Sequence, residues 1–248
     1  VSAPEVEARG LAVGYEGRPI LQGLDFAVER GDIFALLGAS GSGKSTVLKC
    51  LIGLLEPIAG EVRFRGEPPP QLEDRRPHWG TMFQAGALFG SLTVAENVAL
   101  PLEQWTGLGR DAIDAIVRAR LRLVGLAGAE HLKPAELSGG MRKRVAIARA
   151  LALEPPVLFF DEPSAGLDPI GAAELDELIL TLNGTLGVTA VIVTHELLSI
   201  FKIVRHCVLL DREAGGIVAR GEPRALRDES RDPRVRAFFH REPRRNAS

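Results

Sequence analysis

Hydrophobic and polar positions change their period along this chain. They alternate over residues 6–13 and again over 20–29, with Gly17, Arg18 and Pro19 between, which predicts two antiparallel strands joined by a tight connection. From Ile33 the alternation gives way to an unbroken apolar run, IFALL, then a Gly/Ser-rich stretch, then helical spacing over 44–53. Further apolar runs at 157–160, 189–193 and 207–210 predict strands buried on both faces, and helical stretches separate them. Over 93–122 the pattern turns helical, with Ile113, Ile116, Val117, Leu121 and Val124 three or four residues apart. The order predicts an α/β fold: a parallel-sheet core covered by helices, an N-terminal antiparallel β layer, and a helical insert at about 88–140. Residues 67–77, rich in proline and charge, predict an irregular surface connection.

Length and composition narrow the function classes. A chain of 248 residues has room for one or two domains, and 46% hydrophobic with 25% charged residues excludes a disordered or collagen-like chain. Lys+Arg 30 against Asp+Glu 32 leaves a formal charge of -2, too balanced for a protein that holds nucleic acid by a domain-wide basic field. Cys50 and Cys207 lack ligand-like spacing, so neither a zinc site nor a disulfide framework is expected, and a reducing compartment suits them. The uncharged runs at 77–95 and 178–194 are broken by Gln84, Gly86, Asn183 and Gly184, and no signal peptide is visible. The expectation is a cytoplasmic protein whose membrane role comes through a partner.

Three segments carry chemistry. Gly38, Ala39, Ser40, Gly41, Ser42, Gly43, Lys44 and Ser45 follow G-x-x-x-x-G-K-[ST], directly after a predicted strand and before a predicted helix. Glycines there let backbone N–H groups converge on phosphate oxygens, the helix N-terminus adds its positive end, Lys44 neutralises charge and Ser45 ligates Mg²⁺. The apolar run at 157–160 ends in Asp161 and Glu162. Strand alternation makes their carboxylates diverge, Asp161 toward Mg²⁺ and Glu162 toward the water that attacks the γ-phosphate. Third, LSGGMRKRVAIARAL, residues 137–151, places Ser138, Gly139 and Gly140 at the start of a helix whose Val145, Ile147, Ala148 and Leu151 face inward. By itself that start also reads as a serine N-cap before a solvated basic turn of Arg142, Lys143 and Arg144.

Together these segments resemble the ATP-binding-cassette (ABC) ATPases over nearly the whole chain. The resemblance implies a P-loop NTPase cassette in a single nucleotide-binding domain, 1–248, using ATP and Mg²⁺. It also implies a homodimer, because ATP in that family lies between the P-loop of one cassette and the LSGG of another. Carried over residue by residue, Tyr15 resembles the aromatic that stacks on adenine, and Thr46 joins the nucleotide-binding set beside Ser45. Gln84 resembles the glutamine that senses Mg²⁺ and the membrane partner. Residues 164–168, ending in Asp168, resemble the D-loop, and His195 resembles the switch histidine at the γ-phosphate. One departure is Met141, where the commonest signature has glutamine; a thioether cannot make an amide's hydrogen bonds.

The signature, the segment 83–102 and the closing DPRVRAFFHR further resemble the lipid-transport branch, the Mla- or Mce-associated ATPases. That implies a subunit peripheral to the cytoplasmic face of a bacterial inner membrane, working with an integral membrane permease, an accessory regulator and a periplasmic lipid-binding protein on phospholipid. Ala85, Ala87, Leu88 and Phe89 are expected to offer apolar surface beside Gln84, on the helical insert, to that permease. Rival readings are the ATPase of another solute importer and a non-transport ABC protein; the latter usually carries a coiled-coil arm, which the stretch between Lys44 and Ser138 lacks. The tail, 231–248, is rich in arginine around Ala237, Phe238 and Phe239. A helix from Pro233 would place Val235 and Phe239 on one side, as an apolar face that docks on its own cassette, the second protomer or an accessory regulator.

Overall fold

Alternating apolar residues build β1 (Val6–Tyr15) and β2 (Arg18–Val28), which pair antiparallel from Val6 opposite Val28 to Tyr15 opposite Arg18. The all-apolar run is β3 (Ile33–Leu37), buried throughout, and α1 (Lys44–Leu51) follows the glycine-rich loop. A strand not expected from the pattern, β4 (Ala59–Phe64), pairs antiparallel with β1 and completes a three-stranded sheet in the order β2-β1-β4. Only Val62 and Phe64 of β4 are buried, while Glu61 is exposed, so its apolar signal is two residues deep. The computed structural model describes residues 3–69 and 76–242. Residues 70–75 of the expected irregular connection and 243–248 of the tail lie outside them.

The chain forms two compact units, one from Val1–Gln71 with Thr189–Ser248 and the other from Leu72–Val188. The second unit begins with β5 (Trp79–Met82) and continues with α2 (Val94–Trp105) and α3 (Arg110–Leu123), so the long helical stretch is two helices. Thr93 starts α2 with a capping box: its Oγ1 accepts from the Glu96 N–H while the Glu96 carboxylate accepts from the Thr93 N–H. Ile113, Val117, Leu121 and Val124 are buried as their spacing predicts. After a 3-10 turn at Pro134–Glu136 come α4 (Gly139–Ala150), β6 (Val157–Asp161), which pairs parallel with β5, and α5 (Pro169–Leu186).

The chain then returns to the first unit. β7 (Thr189–Thr194) lies parallel to β3 on one side, α6 (Leu197–Ile203) follows, and β8 (His206–Asp211) lies parallel to β3 on the other. β9 (Gly216–Gly221), half-exposed and again without a clear sequence signal, pairs antiparallel with β8. α7 (Pro223–Glu229) and α8 (Pro233–His240) close the described chain. The protein is thus α/β, with parallel strands at its core and an antiparallel N-terminal sheet. Cys50 and Cys207 are both free and buried, and burial pushes their thiols up to about 11 and about 12. Among the described residues no helix is long and apolar enough to cross a membrane.

Candidate functional site

In the first unit the loop from Gly38 to Lys44 turns the chain from β3 into α1, and its glycines are there for two separate reasons. Gly38 has φ +156, and a Cβ on it would lie 2.4 Å from Ser42 Oγ and 2.7 Å from the Leu210 carbonyl. Gly43 has φ +99, and a Cβ there would press within 2.8 Å of Leu21 Cδ1. The first turn of α1 begins on Gly43, which offers no side-chain cap. Lys44 is 6% exposed, and its ammonium donates to the Gly38 and Ala39 carbonyls at 2.8 and 3.0 Å. Ser42 Oγ is buried without a hydrogen-bond partner among the described residues. An uncapped helix start, an inward-curled ammonium and an orphaned hydroxyl, in a loop closed to a Cβ at Gly38, suit a polyanion with many acceptor oxygens.

Of the other expected residues of this unit, His195 lies beside that loop. His195 follows the last residue of β7 and is exposed, and Glu196 behind it caps α6. A cavity of about 490 Å³ brings His195 together with Ala39 and Ser40 of the loop, and Arg234 and Phe238 of α8 line it too. Ser45 is exposed and Thr46 buried on α1. Tyr15 ends β1 with 47% of its surface exposed, an open ring face at a strand terminus.

The second unit holds Gln84, Ser138, Asp161, Glu162 and Asp168. Asp161 is the last residue of β6, and Glu162 lies beyond it with φ 46. Divergence by strand alternation therefore does not apply to this pair: Glu162 is aimed by a left-handed backbone step that a residue with a Cβ adopts only when its surroundings hold it. Ser138 caps α4, its Oγ accepting from the Met141 N–H at 3.2 Å. Asp168 caps α5 by accepting from the Ile170 and Gly171 N–H groups at 2.9 and 3.0 Å. Those bonds, that from Gly171 foremost, hold its carboxyl below the ordinary range.

Lys143 is not part of a solvated basic turn. It is 6% exposed, and its ammonium donates to the Gln84 carbonyl and, at 3.4 Å, to that of Glu162. Burial lowers its pKa, while the charges of Asp161 and Glu162 oppose the shift. Arg149, also with a pKa lowered by burial, donates to the Gly86 and Ala87 carbonyls at 2.9 and 2.8 Å. For Lys143 the available signal was helical spacing, since it stands three and four residues before the buried Ala146 and Ile147. The apolar residues near Gln84 sit in the turn and loop between β5 and α2 rather than on a helix. Gln84, Ala85, Ala87 and Phe89 are exposed there, and the buried Asn97 holds Phe89 by its main chain, through N–H and carbonyl contacts of 2.8 and 3.1 Å.

The chain is similar to known proteins over most of its length. The intermembrane phospholipid transport system ATP-binding protein MlaF of Escherichia coli (strain K12) is 42% identical over 240 residues, 94% of this chain and 88% of that protein. The structure of cbiO1 from Clostridium perfringens, described as part of the ABC transporter complex cbiONQ, has TM-score 0.83 and 29% identity over 92% of both chains. A dimeric, post-hydrolysis structure of the ATP-binding cassette MJ0796 bound to ADP and Pi has TM-score 0.78 and 30% identity, covering 88% of this chain and 98% of that one. The family model for ABC transporters matches residues 21–165, more than half of the sequence, and the chain belongs to that family.

Proposed function

We propose that this chain is the ATP-hydrolysing subunit of an ABC transporter and that it works as a homodimer driving a separate integral membrane permease. The observation that carries the nucleotide assignment is the loop at Gly38 to Lys44, with Gly38 closed to a Cβ, Gly43 at a positive φ, and a buried Ser42 hydroxyl that has no partner among the described residues. Its N–H groups and Lys44 hold the β- and γ-phosphates, Thr46 lies among the contacts beside them, and Tyr15 offers its exposed ring to adenine. Ser45, Gln84 and Asp161 supply the hard oxygen donors that Mg²⁺ prefers, and the ion, when bound, neutralises phosphate charge. Glu162 accepts the proton of the attacking water, and His195 donates toward the γ-phosphate.

Ser138, Gly139 and Gly140 serve the nucleotide of the second protomer. Among the described residues a Cβ at Gly140 would meet nothing within 4 Å, and its φ is not positive, so neither space nor backbone conformation calls for glycine there. An anion approaching the start of α4 from outside does. Asp168 joins the same face through the D-loop. MJ0796, a neighbour over 88% of this chain, is described as a dimer with ADP and Pi, which supports both dimerisation and hydrolysis.

Phospholipid moving between the inner and outer membranes of a bacterium is the proposed cargo, supported by 42% identity over 94% of the chain to a relative named for that transport. The subunit then sits on the cytoplasmic face of the inner membrane, with Ala85, Ala87 and Phe89 against the permease, in company with an accessory regulator and a periplasmic lipid-binding protein. Two measurements test the reading. Glu162→Gln should bind ATP with parental affinity, hydrolyse it about 10²–10⁴-fold more slowly and persist as an ATP-bound dimer; a monomer with intact turnover would refute the assignment. Subunits retained on purification from membranes should include a permease and carry phospholipid, whereas an amino-acid permease with no lipid would assign the chain to solute import.

A further inference from the structure

The signature helix α4 turns two cations inward. A buried ammonium is costly unless it is paired or hydrogen-bonded, so Lys143 and its acceptors are held to one another. Its acceptors are main-chain carbonyls, those of Gln84 and Glu162, and Arg149 further along the helix takes those of Gly86 and Ala87. Bonds to carbonyls fix where a backbone runs whatever the side chains are. Glu162 and Ala87 both have left-handed φ, 46 and 48, which a residue with a Cβ adopts only under constraint. Each of the two α4 cations grips the carbonyl of one of them.

We propose that Lys143 is a positioning residue for ATP hydrolysis: by holding the Gln84 and Glu162 carbonyls together it makes the signature helix, the Gln84 turn and the Glu162 backbone move as one body. Arg149 anchors the far end of the same turn, next to the exposed Ala87 and Phe89. Lys143 touches no reacting atom; it acts through the placement of Glu162 and Gln84, and the inference rests on the roles given to those two residues above. The consequence is a mechanical one. A displacement of the turn at 84–89 is passed through Lys143 to the start of the signature helix and to the base, without any contact to nucleotide.

The test is a Lys143→Met variant of the full chain, which keeps the apolar stem and removes the donors. It should bind ATP as the parent does and lose about ten- to a hundred-fold in kcat at nearly constant KM, the scale of a misplaced catalytic group. Lys143→Arg, which keeps the donors and the charge, should recover most of kcat. Parental kcat in Lys143→Met would overturn the proposal. So would a joint fall of ATP affinity, melting temperature and kcat that Lys143→Arg fails to restore, for that is the behaviour of a residue needed only for folding. If Lys143→Met does not fold, Lys143→Gln, which keeps an N–H donor, is read by the same split. Glu162→Gln measured in parallel separates the two layers. A parental rate there removes the base and overturns both readings, whereas a slow Glu162→Gln beside a fast Lys143→Met overturns the positioning role alone.

Discussion

Gly38, Gly43 and Lys44 show how a residue type is dictated by its surroundings. Gly38 combines a positive φ with the Leu210 carbonyl 2.7 Å from any added Cβ, while at Gly43 the positive φ of +99 is the stronger constraint, since its near neighbour is the movable end of Leu21. That is why the loop could be read in the sequence: its pattern is the trace of backbone geometry. Lys44 is held by the same loop through two carbonyls, which under the proposed function it exchanges for phosphate oxygens. Lys44→Ala should therefore leave the fold in place and weaken ATP binding about ten- to a hundred-fold, the equivalent of about 1.5–3 kcal/mol for a charged hydrogen bond. Equilibrium titration with a fluorescent nucleotide checks it, and unchanged affinity would contradict the phosphate cradle. Lys143 had no such trace. A lysine in a basic tripeptide signals surface by charge, and the carbonyls that bury it are supplied by every residue alike, so only its helical phase pointed inward. Glu162 was likewise legible as a residue and not as a geometry, because one left-handed step sets its direction and no strand period encodes that.

Among elements, the tail helix α8 illustrates a face predicted from spacing and found in place. Val235 and Phe239, four residues apart, are 0% and 3% exposed, in a cluster with Leu197 and Ile200 of α6 and Leu37 of β3. Phe239 also packs on Phe201 and meets Phe238 edge to face, with ring centroids 5.8 and 5.1 Å apart. Arg227 of α7 stacks over the Phe201 ring at 4.9 Å, and Arg241 reaches Glu196 at 3.5 Å. The tail is thus part of the first unit's core, beneath the segment that begins at His195. Phe239→Ala should cost about 3–5 kcal/mol, the usual loss when a buried aromatic is truncated, and melting of the variant measures it. An unchanged midpoint would mean that α8 contributes no core. Elements of opposite character escaped the pattern: β4 and β9 owe their place to pairing with β1 and β8 rather than to apolar alternation, since β4 buries only two side chains and β9 none fully. Strand-partner choice is a long-range property, and a local window holds no record of it.

For the whole molecule the question is which chain completes which site. Ser138 caps α4 at an exposed position, and a Cβ at Gly140 would meet nothing within 4 Å among the described residues, which suits a start of α4 that meets something from outside. In the head-to-tail arrangement that something is the nucleotide on the P-loop of the second protomer. Ser138→Arg should then keep parental ATP affinity in the monomer, because its own P-loop is intact, yet lose turnover by blocking its partner's site with a bulky cation. Lys44→Ala has the converse defect, an intact signature and a damaged loop. A heterodimer of the two variants has one site with both defects and one with neither, so mixing two inactive proteins should restore about a quarter of the sites under random exchange. Hydrolysis measured as the two are titrated together reads this directly. If Ser138→Arg instead weakens ATP binding in its own monomer, or if no ratio of the two variants recovers activity while each still exchanges subunits, Ser138 acts within its own chain, and the head-to-tail dimer is the wrong assembly.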